Sequence, residues 1–183
     1  MRLAAALALA LLAAACAQPA ATPLLPPASA TPTPAAQPLL PPGSATPTLD
    51  PLDADLATVG IDVGRGRFTA VVVDTPALRA RGLSGRDALA QGRAMWFDMG
   101  VEAPATFWMR GMRFPIDIVW VDAGLRVVHV THEAPVPPEG ASDAELARYT
   151  PGAVDVRYVL EINAGLARDL GIEPGARVTL ATL

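Results

Sequence analysis

Aromatic side chains are scarce in this chain, and they are bunched. Six of its nine aromatics, Trp96, Phe97, Phe107, Trp108, Phe114 and Trp120, lie between positions 96 and 120. Four of the five methionines, Met95, Met99, Met109 and Met112, fall in or beside the same stretch. Large side chains supply much of the apolar area a small core can bury, so the fold must be built around this segment. Arg110, Arg113 and Asp117 are set into the same apolar run. A charged group among aromatics either is buried against a partner or lines a binding surface.

Periodicity gives the segment its form. Ile116, Ile118 and Trp120 alternate with Asp117, Val119 and Val121, the period of a strand. Asp122-Ala123-Gly124 then turns the chain into 126–131, which predicts a hairpin. Further strands are expected over 68–73, 94–97, 106–109, 156–162 and 177–180. Thr75 and Pro76 open a short helix over 77–81 that stops at Gly82. Asn163 is expected to cap a second helix, 164–170, ending at Gly171. Many short strands with two short α-helices predict a mainly β fold, a compact antiparallel β barrel or roll.

The amino-terminal third has a different character. Arg2 precedes an apolar run, 3–12, of about ten residues, too short for a stable membrane span. Leu12-Ala13-Ala14-Ala15-Cys16 resembles the lipobox of bacterial lipoproteins, in which the cysteine is lipidated after cleavage. The competing reading is an Ala15-Cys16-Ala17 cleavage site that releases a soluble secreted or periplasmic protein. Cys16 is the sole cysteine, so a mature domain lipidated there has no thiol for a disulfide, a zinc site or a nucleophile. Residues 17–55 are rich in Pro and Ala and contain a duplicated unit, Pro23-Leu24-Leu25-Pro26-Pro27 recurring as Pro38-Leu39-Leu40-Pro41-Pro42. Such a segment is read as a disordered tether, extended at about 3.1 Å per residue. The expected organisation is a signal peptide with its lipobox cysteine over 1–16, the tether over 17–55, and one β-rich domain over 56–183. Its expected place is the cell envelope, anchored through lipid and facing the extracytoplasmic side.

Arg81-Gly82-Leu83, Phe107-Trp108-Met109-Arg110, Pro115-Ile116-Asp117-Ile118 and Tyr158-Val159-Leu160-Glu161-Ile162-Asn163-Ala164-Gly165 occur in that order, followed by Gly171-Ile172 and Gly175. In these blocks the chain resembles domain of unknown function family 192, an uncharacterised bacterial and archaeal family. The resemblance implies a small, mainly β fold that commonly follows a signal sequence, and it implies no activity. Where family members often carry Met, Asn-Thr and Asp, this chain has Ser84, Gly111-Met112 and Ala176.

Charge excludes one class of partner. A net charge of −4 lacks the basic footprint that nucleic acid requires. All 14 basic residues are arginine. No cofactor is implied, because the chain has no phosphate loop, dinucleotide fingerprint, nucleophile elbow or His-Glu-x-x-His motif. His129 and His132, three apart on a strand, face opposite sides and are not read as a metal pair. The methionines are read as core fillers beside aromatics rather than as a thioether site for Cu(I).

The candidate site therefore rests on charged residues inside apolar motifs. Arg110 and Arg81 offer planar donors, Trp108 a stacking platform, and Asp117 and Glu161 carboxylates, with Asn163 in support. Strand alternation sets Asp117 and Glu161 opposite their Ile and Leu neighbours, and so outward or into a cleft. The leading reading is a non-catalytic ligand-binding or scaffold module, for which a carbohydrate or cell-wall ligand suits the Trp and Arg/carboxylate groups. The alternatives are a hydrolase using Asp117 and Glu161 as acid and base, and a purely structural envelope domain whose charges form a buried network.

Overall fold

The computed structural model describes Asp53 and residues 55–183. The signal peptide, Cys16 and nearly all of the tether read from the sequence lie outside the described residues. Seven strands and two helices follow in order: β1 (Thr58–Val63), β2 (Gly66–Val73), α1 (Pro76–Arg81), β3 (Arg93–Ala103), β4 (Ile116–Val121), β5 (Val127–Ala134), β6 (Val156–Asn163), α2 (Leu166–Leu170) and β7 (Val178–Ala181). All strands join one sheet, in the order β5-β4-β6-β3-β2-β1-β7. The sheet curls into a half-barrel. Its two ends are tied where the Val127 N–H donates to Ala176 O (2.9 Å) and the Val178 N–H to Leu125 O (2.8 Å).

The mainly β architecture with two short helices is as the sequence predicts. Its strand directions differ in one place: β2 and β3 run parallel. A parallel neighbour needs a crossover, and the connection carrying α1 supplies it. The expected strand 106–109 is reduced to a single bridge between Phe107 and Tyr149. β1 was not anticipated. It pairs with both β2 and β7, and its turn into β2 rests on Gly64, whose φ of +57° suits glycine.

The curl divides the apolar side chains between two cores. On each strand, successive residues point to opposite faces. Ile61, Phe68, Ala70, Trp96, Val119, Leu160 and Ile162 fill the concave side. Met95, Phe97, Ile116, Ile118, Trp120 and Val159 form a second core on the convex side, roofed by Leu83, Met109 and Met112 from the connections. This explains why all six residues of β4 are buried. The aromatic bunch divides likewise. Trp96 stacks on Tyr158 at 4.9 Å, whereas Phe107 meets Phe97 and Trp120 edge-on at 4.9 and 5.4 Å.

Local signals fix the helices. Thr75 Oγ1 accepts from the Leu78 N–H (3.3 Å), and Gly82 ends α1. At α2 the expected cap is corrected. Asn163 is the last residue of β6, and Gly165 precedes the helix without a side-chain cap. An unsatisfied N–H near the start of this helix is instead met from β4: the Ala167 N–H donates to Asp117 Oδ2 at 2.8 Å.

Asp53 belongs to the folded body, although the sequence reading placed it in the tether. It is 3 % exposed and accepts two hydrogen bonds from Arg86, at 2.5 and 2.6 Å.

Candidate functional site

Glu161 is the centre of the site. On β6 it stands in register with Met95 of β3 and Ile118 of β4, so it points to the convex side. Two strand neighbours and the roof above leave it 6 % exposed. Its Oε2 has no hydrogen-bond partner among the described residues. Burial pushes the carboxyl up to about 8, against the opposing pull of the Arg86 guanidinium. At neutral pH the group is mostly protonated, and it is a donor as well as an acceptor.

Glu161 opens into a cleft of about 550 Å³. One wall is α1 and its exit, Arg79 to Ser84; the other is Thr106, Phe107 and Trp108; Phe97 and Met99 come from β3. The Arg79 guanidinium is already committed to the carbonyls of Asp74 and Asp98, at 2.5 and 2.9 Å. Arg81 stands exposed on the rim. Arg148 closes the other side, with its guanidinium carbon 4.0 Å from the centre of the Trp108 ring. That cation–π contact engages Trp108, so the ring holds an arginine rather than lying bare as a stacking platform.

The structure separates the six residues grouped from the sequence. Trp108, Glu161 and Arg81 share the cleft. Arg110 stays beside Trp108, its guanidinium carbon 5.5 Å from the ring centre, but it is exposed, pairs with Asp143 at 3.1 Å and lines a different hollow with residues such as Val136, Gly140 and Leu146. Asn163 donates from Nδ2 to Leu89 O (2.9 Å) and fastens the connection that follows α1.

Asp117 is fully buried, which corrects its expected outward position. It stands opposite Ile162, so it faces the concave side, whereas Glu161 stands opposite Ile118 on the convex side. Its two oxygens accept from the backbone N–H of Glu133 (2.7 Å) and of Ala167 (2.8 Å). It anchors a bulge of β5 and the start of α2. Two carboxylates on opposite faces of one sheet cannot act on one bond, so the paired acid–base reading does not fit this chain.

Sequence reasoning missed Arg148, Arg86 and Asp53. The one signal for Arg148 was its place beside Tyr149, whose pairing with Phe107 carries it to Trp108. No group of three or more His, Cys, Asp or Glu side chains is arranged to hold a metal ion among the described residues. Met95, Met109 and Met112 are buried in the convex core, and among the described residues no helix is long and apolar enough to cross a membrane.

Comparison with known proteins gives relatives of the same fold. The model of the family DUF192, described as "Uncharacterized ACR", matches residues 59–180. A protein of unknown function from Novosphingobium aromaticivorans DSM 12444 superimposes with a TM-score of 0.63 at 33% identity, covering 74% of this chain and 94% of that one. A candidate transcription regulator from Sinorhizobium meliloti 1021 gives a TM-score of 0.61 at 25% identity, covering 68% of this chain and 95% of the other. No curated protein matches the chain.

Proposed function

We propose that this chain, which belongs to the uncharacterised family DUF192, is a non-catalytic ligand-binding module held at the cell envelope through Cys16. Its site is the Glu161 cleft, and its ligand is an acidic carbohydrate or cell-wall fragment. The observation that carries this reading is the Glu161 Oε2, buried on the cleft floor without a hydrogen-bond partner among the described residues. A buried polar atom left unsatisfied is costly, and a ligand carbonyl or hydroxyl meets that need. Arg81 and Arg148 on the rim suit a carboxylate. Apolar walls from Phe97, Met99 and Phe107 suit the flat face of a sugar ring.

The test is a thermal-shift and calorimetric titration of the full chain with acidic and neutral cell-wall sugars. An acidic fragment should bind, and Glu161→Gln and Arg148→Ala should each weaken it at least about tenfold, or 1.4 kcal/mol. Equal binding by both variants, or no binding by any fragment, overturns the proposal. A second reading, a single-residue acid or base, is favoured by the raised proton affinity of Glu161. It predicts that Glu161→Gln keeps ligand affinity and abolishes turnover of the bound fragment.

A further inference from the structure

We propose that the hollow beside the Glu161 cleft is a second subsite of one groove, and that it takes a neutral sugar joined to the acidic one. The inference rests on the reading of the cleft as a site for an acidic carbohydrate. It narrows that ligand to an oligosaccharide in which an acidic unit adjoins a neutral one.

The two depressions meet. Met112 lines both. Arg148 of the cleft and Arg110 of the hollow lie against the same Trp108 ring, at 4.0 and 5.5 Å from its centre. The divide is therefore one indole and its two arginines. Asp143 spans it: its Oδ1 pairs with Arg110 Nε at 3.1 Å, and its carbonyl accepts from Arg148 Nη2 at 3.2 Å. The Arg110 and Asp143 side chains are 61 and 52 % exposed, and a surface pair of this kind is worth little. A ligand lying across it displaces nothing costly. Once one unit is seated in the cleft, contact by the next becomes intramolecular and adds affinity.

The hollow has its own chemistry. Arg110 faces Asp143, and Arg113 faces Asp87 at 2.5 Å. Each guanidinium already has a carboxylate, so a second anion gains little there. Such pairs present donors and acceptors side by side, and a sugar hydroxyl is both at once. Val136, 41 % exposed, lies with Pro137 and Pro138 along the same lining and offers apolar contact to a ring face. The hollow measures about 620 Å³ and the cleft about 550 Å³. At the roughly 30 Å³ that liquid water takes per molecule, a hexose of about twelve heavy atoms fills roughly 360 Å³. Each depression has room for one unit and not for two.

The test is calorimetric titration of the full 183-residue chain with N-acetylmuramic acid, the disaccharide that joins it to N-acetylglucosamine, galacturonate and digalacturonate. The mixed disaccharide should bind at least about tenfold more tightly than N-acetylmuramic acid. Digalacturonate, acidic in both units, should bind no more tightly than galacturonate. Val136→Asp, which sets a charge against the ring face, should abolish the gain of the mixed disaccharide. On the unaltered protein, transferred magnetisation from the neutral sugar should reach the Val136 methyls, a readout independent of how the variant folds. Equal affinity for the mixed disaccharide and its acidic half, a gain for digalacturonate, a gain that persists in Val136→Asp, or no transfer to Val136 would each overturn this proposal and leave the cleft reading standing. No binding by any of the four sugars overturns both.

Discussion

Asp117 and Glu161 stand one register step apart on adjacent strands and face opposite sides of the sheet. The first is saturated by two backbone N–H groups, and the second keeps an oxygen without a partner among the described residues. One carboxyl ties the backbone together, and the other lines the cleft.

Asp117→Ala should leave the Glu133 and Ala167 N–H groups without an acceptor. One buried and one part-buried donor orphaned in this way cost about 2–4 kcal/mol in total. Urea unfolding should show that loss at unchanged m-value. Asp117→Asn should recover less than half of it, because its NH₂ meets one of the two N–H groups as donor against donor.

Stability should depend on pH through Glu161. Its ordinary pKa is 4.5 and its folded value is about 8. Between those values the unfolded chain has released a proton that the folded chain retains. Its contribution is therefore complete below about pH 4.5, declines as pH rises and levels off above about pH 8. Glu161→Gln should flatten this window, and at pH 8 it should exceed the parent by an amount on the order of a few kcal/mol. Unfolding midpoints across the window check it, and a slope that persists in the variant contradicts the assignment.

Asp53→Ala should destabilise the domain by about 3 kcal/mol or more, because it strips Arg86 of a buried bidentate partner. Replacing both, as Asp53→Leu with Arg86→Met, should restore part of the loss, since an apolar pair avoids desolvating two charges while buried Arg93 still loses the nearby Asp53 carboxylate. A double-mutant cycle by thermal unfolding measures the coupling.

Gly64→Ala should cost about 2 kcal/mol or more. The residue has φ +57°, and a Cβ there would lie 2.6 Å from Leu170 O. The turn and the end of α2 would both have to move, and calorimetric melting should register it.

The elements legible in the sequence were those with local causes. The alternation over 116–121 revealed β4, Thr75-Pro76 revealed α1, and the aromatic bunch located the cores. What stayed hidden depends on partners distant along the chain. Alternation correctly set Asp117 apart from Ile116 and Ile118, but a sheet covered on both faces has no outward side for it to occupy. Glu161 could be singled out as a charge in an apolar strand. Its companions could not, because Arg148 reaches the cleft only through the pairing of Tyr149 with Phe107. Asn163 looked like a cap because a cap residue and a strand-ending asparagine read alike. The difference lies in Leu89, 74 positions away.

The seating of Asp53 has a mechanical consequence. Any load carried along the chain from its amino-terminal side meets the Asp53–Arg86 contact before it reaches β1. That contact must be pulled open against two parallel charge-assisted bonds. Behind it, β1 is flanked by β2 and β7 rather than lying at a border of the sheet, so it cannot be peeled away one bond at a time from an open side. A body fastened in this way resists being pulled apart from its amino-terminal side.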